Sequence, residues 1–207
     1  MDNSGAHPGY MMAKRIEDAD SLDFFPTPPW ATRALVEKVI GPGAVSDLEC
    51  LEPACGMGHM ARPLAEYFRA VDAFDIHPYG YGMVADFLAA PGNRCWDWVI
   101  TNPPFNLAEQ FAVKARSLCR HGVALLVRTQ FLETVGRYNR LFKSDPPNIT
   151  AIFTERVPML KGRVSKTATT ATSYCWLIWF PERNIHPPRL EWIPPCRKEL
   201  ERDGDYD

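Results

Sequence analysis

The chain reads as an α/β fold, a mostly parallel sheet with helices packed on it. Three observations point there. Short apolar runs of strand length alternate with amphipathic stretches between about residues 21 and 182. One run passes straight into a glycine turn and then a helical pattern, the start of a βαβ unit. The later runs are apolar throughout rather than alternating, as strands covered on both faces are.

The elements follow in order. Residues 26–40 (PTPPWATRALVEKVI) open a helix, because proline is tolerated in a first turn and Ala31, Leu35 and Val39 recur at helical spacing. Residues 48–54 (LECLEPA) form a short strand, residues 55–58 (CGMG) a turn, and residues 59–69 a helix. Residues 70–76 (AVDAFDI) give the next strand, and residues 96–105 (WDWVITNPPF) another, stopped by two prolines. A helix over residues 107–119 precedes a buried strand opening at VALLVRTQFL (123–132). Residues 149–160 and 173–180 (SYCWLIWF) are closing strands around a polar, basic loop, KGRVSKTATTAT (161–172). Trp176, Trp179 and Phe180 read as core packing. Residues 1–20 are polar and unpatterned, a flexible arm. From Pro181 onward the chain holds five of its 19 prolines and ends ERDGDYD. That composition predicts a Pro-rich, acidic tail over 183–207, an extended strap with a disordered tip.

Composition narrows the function. The 207 residues carry a net charge of −2, which hides a strong asymmetry. Residues 1–109 hold 7 Lys/Arg against 15 Asp/Glu, whereas residues 110–172 hold 11 against 3. A basic segment on an acidic chain is either a solvated face or a footprint for a polyanion. The longest apolar run, residues 174–180, is far short of a membrane span. The N-terminus lacks an apolar core of signal-peptide length, so a cytoplasmic protein is expected. Six cysteines without a Cys-x-x-Cys pair and five scattered histidines offer no metal pattern and suggest reduced, buried thiols.

Three features have the order of a nucleotide-cofactor site. Glu52-Pro53-Ala54-Cys55-Gly56-Met57-Gly58 is a strand entering a glycine turn. Asp75 ends the next strand, 19 residues after Gly56, where an acid reaches ribose hydroxyls, with Ile76 beside it. Asp86-Phe87 pairs a carboxylate with an aromatic ring suited to adenine. A dinucleotide fits poorly: Ala61 stands where the third glycine would be, and Glu52 would repel a pyrophosphate. A cofactor bearing ammonium and sulfonium groups, S-adenosylmethionine (AdoMet), suits that carboxylate. Finally, Asn102-Pro103-Pro104-Phe105 sits at the end of an apolar strand, where open α/β sheets bind ligands.

Taken together, Thr27-Pro28-Pro29, then Glu52-Pro53-Ala54, then Asn102-Pro103-Pro104-Phe105 resemble the class I AdoMet-dependent amino-methyltransferases. They are most similar to the small phage and prophage enzymes that make N6-methyladenine in DNA, also through residues 25–35 (FPTPPWATRAL). The resemblance covers about residues 22–182. It implies a Rossmann-like three-layer sandwich whose last strand is antiparallel, with residues 173–180 as the candidate. It implies that Thr27 and Pro28 seat the methionine carboxylate of AdoMet, and that Glu52, Pro53, Ala54, Cys55, Gly56 and Gly58 hold its methionine part. Asp75 and Ile76 would then meet the ribose, and Asp86 and Phe87 the adenine. Asn102, next to the cofactor, and the Pro103 carbonyl would accept from the target amine; Pro104 stiffens the turn and Phe105 stacks on the target base. The product would be S-adenosylhomocysteine (AdoHcy), with no metal required.

DNA is the expected partner, with phosphates held by Arg128, Arg137, Arg140, Lys143, Arg156, Lys161, Arg163 and Lys166. No long recognition domain follows the last strand, so short or relaxed sequence specificity, a homodimer or a recognition partner is expected. RNA adenine, cytosine N4, a protein glutamine amide and a non-catalytic AdoMet- or DNA-binding subunit remain open, because each is compatible with the same acceptors.

Overall fold

In the computed structural model, which describes residues 24–181 and 187–207, five α-helices are interspersed with eight strands along the chain. They are α1 (Pro29–Leu35), β1 (Glu49–Glu52), α2 (Ala61–Leu64), β2 (Ala70–Asp75), β3 (Met83–Val84), β4 (Trp96–Thr101), α3 (Ala108–Arg116), β5 (Cys119–Arg128), α4 (Val135–Arg137), β6 (Ile149–Phe153), β7 (Tyr174–Trp179), β8 (Arg189–Ile193) and α5 (Arg197–Leu200). The strands make one sheet in the order β3-β2-β1-β4-β5-β7-β6-β8. Every described neighbour pair is parallel except the two made by β7. The expected antiparallel strand is therefore β7, inserted between β5 and β6.

Alternation along the central strands sorts the core into two layers. Leu126, Trp98, Trp176 and Ile178 face one side, where Trp30, Leu35 and Leu64 pack. Leu125, Val99, Leu177 and Leu51 face the other, against Phe87, Ala112 and Phe111. Both faces of β7 and of β5 from Gly122 to Val127 are covered, which explains why these stretches are apolar throughout. Trp176 is fully buried, and its indole N–H donates to the Ala31 carbonyl at 3.2 Å, so the polar edge of the ring is also satisfied.

Two expectations require correction. The helix predicted over residues 59–69 contracts to Ala61–Leu64 and continues as turns, with Tyr67 and Phe68 N–H groups both returning to the Leu64 carbonyl. Pro63 sits inside it and supplies no N–H. The acidic tail is not a loose tip. Residues 189–193 pair with β6 along its length, and Asp205 reaches Arg33 on α1. Arg33 is 3% exposed, and all five of its N–H donors are used: on Glu66 (2.8–3.2 Å), Asp205 (2.7 and 2.9 Å) and the Leu200 carbonyl (2.8 Å). Burial alone would lower its pKa, but the two carboxylates outweigh burial and raise it. A buried guanidinium needs such partners, so the acidic end of the chain is counter-charge for α1. The arm predicted over residues 1–20 lies outside the described residues.

Candidate active site

The ends of β1, β2 and β4 lie side by side in the sheet, and each brings one carboxylate or amide to the same edge. Glu52 closes β1 and is 1% exposed. Its Oε1 accepts from Thr101 Oγ1 at 2.8 Å and from the Ala54 N–H at 3.2 Å. Its Oε2 is buried without a hydrogen-bond partner among the described residues. Burial pushes this carboxyl up to about 8, against the pull of those two hydrogen bonds, and nearby Asp75 adds to the rise.

The turn after β1 is locked to β2. Asp75 Oδ2 accepts from the Gly56 N–H at 2.8 Å and Oδ1 from the His77 N–H at 2.9 Å. Gly56 and Gly58 sit at φ +50° and +85°, a region that other residues enter only with strain. A Cβ at Gly58 would also lie 2.7 Å from the Tyr81 ring, and one at Gly56 2.4 Å from Phe24. The two glycines thus let aromatic side chains close directly onto the turn.

Asn102 follows β4. Its Nδ2 donates to the Phe25 carbonyl at 2.8 Å, while Oδ1 is buried and has no partner among the described residues. The amide is held by its donor end, which leaves its acceptor end for another molecule. Pro103 and Pro104 come next, and the Pro104 carbonyl accepts from the Leu107 N–H at 2.9 Å as the chain turns into α3. Phe105 is half-buried, with its ring 5.4 Å from that of Phe25 and the Arg128 guanidinium 3.8 Å from its centroid.

Around these groups lies a cavity of about 520 Å³, a size ordinary for a small-molecule site. Of the predicted residues, Thr27, Glu52, Pro53, Ala54, Cys55, Asp75, Ile76, Asp86, Phe87, Asn102, Pro103, Pro104 and Phe105 line it. Three do not. Gly56 and Gly58 shape the turn behind the wall, and Pro28 precedes α1, its carbonyl accepting from the Ala31 N–H at 2.9 Å. Asp86 is exposed and binds the Leu88 and Ala89 N–H groups through Oδ1, whereas Phe87 is buried against Phe111, 5.0 Å between centroids. Thr27 Oγ1 is buried without a partner among the described residues.

Sequence reasoning missed the aromatic rim. Phe24 stacks on Tyr79 at 4.7 Å and approaches His59, and all three line the cavity. It missed Thr101, which fixes Glu52, and Phe25, which fixes Asn102. The adjacent Phe24-Phe25 pair before Thr27 was the one available signal; a backbone carbonyl acting as an anchor leaves none.

The basic candidates divide. Arg140 is paired with Glu109 at 2.7 Å, and Arg137 donates to the Phe131 and Glu133 carbonyls, so protein groups already hold both. Arg156 donates to Ser173 Oγ. Arg128 lies over Phe105. Lys143, Lys161, Arg163 and Lys166 are exposed. Lys161 and Gly162 form a tight turn between bridged Leu160 and Arg163, and the Gly162 N–H donates to the Phe24 carbonyl at 2.9 Å. The basic loop is therefore stapled to the rim of the cavity. Among the described residues no helix is long and apolar enough to cross a membrane, and no cluster could hold a metal ion.

No family model matches the chain, and no curated protein matches it. Solved structures do. The M protein of the type I restriction enzyme EcoKI is similar at a TM-score of 0.58 and 12% identity, over 81% of this chain and 48% of that one. A chain assigned as a type I modification subunit from Vibrio vulnificus YJ016 gives 0.57 and 14%, over 77% and 45%. One assigned as an RNA methyltransferase from Pyrococcus horikoshii gives 0.56 and 15%, over 75% and 87%. The chain spans less than half the length of the two modification proteins. At these identities the likeness is one of fold, and that fold is the class I methyltransferase fold, a mixed sheet with one antiparallel strand near its end.

Proposed function

We propose that this chain is an AdoMet-dependent methyltransferase acting on the exocyclic N6 of adenine in DNA, with short or relaxed sequence specificity. The observation that carries the reading is Asn102: an amide anchored through Nδ2 to Phe25, with a buried Oδ1 left without a donor. A buried acceptor without a partner costs free energy, about 1–3 kcal/mol, which a ligand N–H would recover. Beside it, Phe105 offers a ring face for a base.

The residues fit the cofactor. Glu52 Oε2 is a second buried acceptor without a donor, and a carboxylate suits an ammonium group. Thr27, Ala54 and Cys55 flank it for the methionine part, Asp75 and Ile76 for the ribose, Phe87 and Asp86 for the adenine. AdoMet supplies an electrophilic methyl group on a cationic sulfur.

The protein contributes orientation and charge stabilisation. The amino group of adenine is a poor nucleophile because its lone pair is delocalised into the ring. Asn102 Oδ1 and the Pro103 carbonyl would accept its two N–H groups and turn that lone pair toward the methyl group. As methylation makes the nitrogen positive, the same two oxygens stabilise the developing charge without having to reorganise. No basic side chain needs to take the proton before transfer; with AdoHcy as the leaving group, the methylated nitrogen would lose its extra proton to water afterwards and become neutral N6-methyladenine. Phe105 would stack on the base once it leaves the duplex, a contact worth about 1–3 kcal/mol. Lys161, Arg163 and Lys166, on the loop stapled to the rim, would meet the flanking phosphates. The catalytic domain of this reading covers residues 21–182.

The test is methyl transfer from labelled AdoMet to duplex DNA, single-stranded DNA, RNA and a glutamine-bearing peptide, with products resolved as nucleosides or amino acids. N6-methyladenine in DNA that disappears with Asn102→Ala is the expected result. Transfer only to RNA, to cytosine or to the peptide would replace adenine in DNA as the substrate.

A further inference from the structure

One face of the Phe105 ring, the group on which a base would stack, is already covered. The Arg128 guanidinium lies 3.8 Å from the Phe105 centroid and 5.7 Å from that of Phe25. Resting on the proposed function, we infer that Arg128 is the gate of the target-base site: its planar cation covers Phe105 until an incoming base displaces it.

The placement follows from the sheet. Arg128 is the last residue of β5, and β5 lies beside β4, whose end leads into residues 102–105. Side chains alternate along a strand, so Arg128 falls on the same face as Leu126 and Ala124. That face is the layer against which Phe25 and Phe105 pack. The register with β7, Arg128 opposite Tyr174, fixes the backbone there, and the Thr129 N–H donating to the Ser173 carbonyl at 3.0 Å ends the strand. From that position the side chain reaches the Asn-Pro-Pro-Phe turn.

The contact is suited to exchange rather than permanence. Arg128 Nε is buried without a hydrogen-bond partner among the described residues. Arg33, the fully clasped guanidinium of the same chain, uses every donor. A guanidinium and a nucleobase are both flat and both stack on aromatic faces, so they compete for one ring. The base arrives with a phosphate on each side, and a displaced cation has an anion to turn toward. Without substrate, the guanidinium keeps the apolar ring from water; with substrate, the same group is released toward the backbone of the nucleic acid.

The experiment separates this role from a plain phosphate contact by using a probe without phosphate. With the cofactor site saturated by AdoHcy, 2-aminopurine riboside is titrated by fluorescence into wild type, Arg128→Met and Arg128→Lys. Retained AdoHcy affinity reports that each variant is folded. Removing the competing cation is expected to tighten nucleoside binding by roughly three- to tenfold in Arg128→Met, with Arg128→Lys between the two. DNA binding, which would also lose a phosphate partner, should weaken in the same variant, and its salt slope should fall by about one. Unchanged or weaker nucleoside binding in Arg128→Met overturns the gate and makes Arg128 a phosphate anchor or an upper stacking surface. Methyl transfer by the wild type, measured alongside, keeps the failures apart: transfer to adenine with no gain in nucleoside affinity sinks the gate alone. Absence of transfer to any nucleic acid sinks the reading on which it rests, and the gate with it.

Discussion

Replacing Glu52 by Gln should move stability and cofactor affinity in opposite directions, and the sign of each depends on pH. In the folded chain the carboxyl is held at about 8, against an ordinary value of 4.5. Between those two pH values the folded state binds a proton that the unfolded state has released. Stability therefore falls as pH rises through this window and levels off above about 8. One pKa unit corresponds to about 1.4 kcal/mol, so a shift of this size amounts to several kcal/mol at full ionisation. Gln keeps an oxygen for Thr101 and Ala54 and never ionises. Thermal melts of the cofactor-free protein should show the Glu52→Gln variant gaining on wild type between pH 5 and pH 9, by a Tm difference that widens by roughly 5 °C or more. AdoMet titrations should show the reverse. Wild-type affinity should rise with pH up to about 8, with close to one proton released per AdoMet bound at pH 7, visible as a buffer-dependent heat. The variant should bind weakly and without that release. A melting difference that stays constant with pH, or AdoMet binding untouched by the substitution, would refute the assignment of Glu52 as a buried carboxyl awaiting a cation.

Other outcomes follow from the same geometry. Asn102→Ala should lower kcat by about 10²–10³, the usual effect of deleting one preorganised polar group, while AdoHcy binding measured by calorimetry persists. DNA affinity should fall steeply with salt, and the double substitution of Lys161 and Arg163 by Ala should reduce the slope of log K against log salt by about two, read by fluorescence anisotropy. Asp205→Asn leaves the buried Arg33 with Glu66 as its one carboxylate partner among those described, and should cost roughly 3 kcal/mol in denaturant unfolding, with no change in the set of methylated nucleosides.

The turns of the candidate site were legible because their signals are local. Glu52 to Gly58 and Asn102 to Phe105 each lie within a few residues, on strands whose apolar character marks the middle of a covered sheet. β5 and β7 were legible for the same reason. What could not be read involves partners far apart in the chain. Asp205 looks like part of a solvated acidic tip until Arg33, 172 residues away, is seen buried against it. Phe25 holds Asn102 through a backbone carbonyl that any residue could supply. The shortness of α2, by contrast, had a local signal in Pro63, which supplies no N–H.

The Arg33 clasp also has a consequence for the order of assembly. A ribosome delivers α1 before Asp205, which lies 172 residues beyond Arg33, so the guanidinium meets one of its two carboxylates only after every described strand of the sheet has emerged. α1 begins two residues after Thr27 and four after Phe25, the residue whose carbonyl tethers Asn102. The loop that holds the Asn102 amide is thus joined to a helix whose buried arginine is clasped by Asp205. A molecule cut between β8 and Asp205 would carry every residue of the cavity and still lack that half of the clasp.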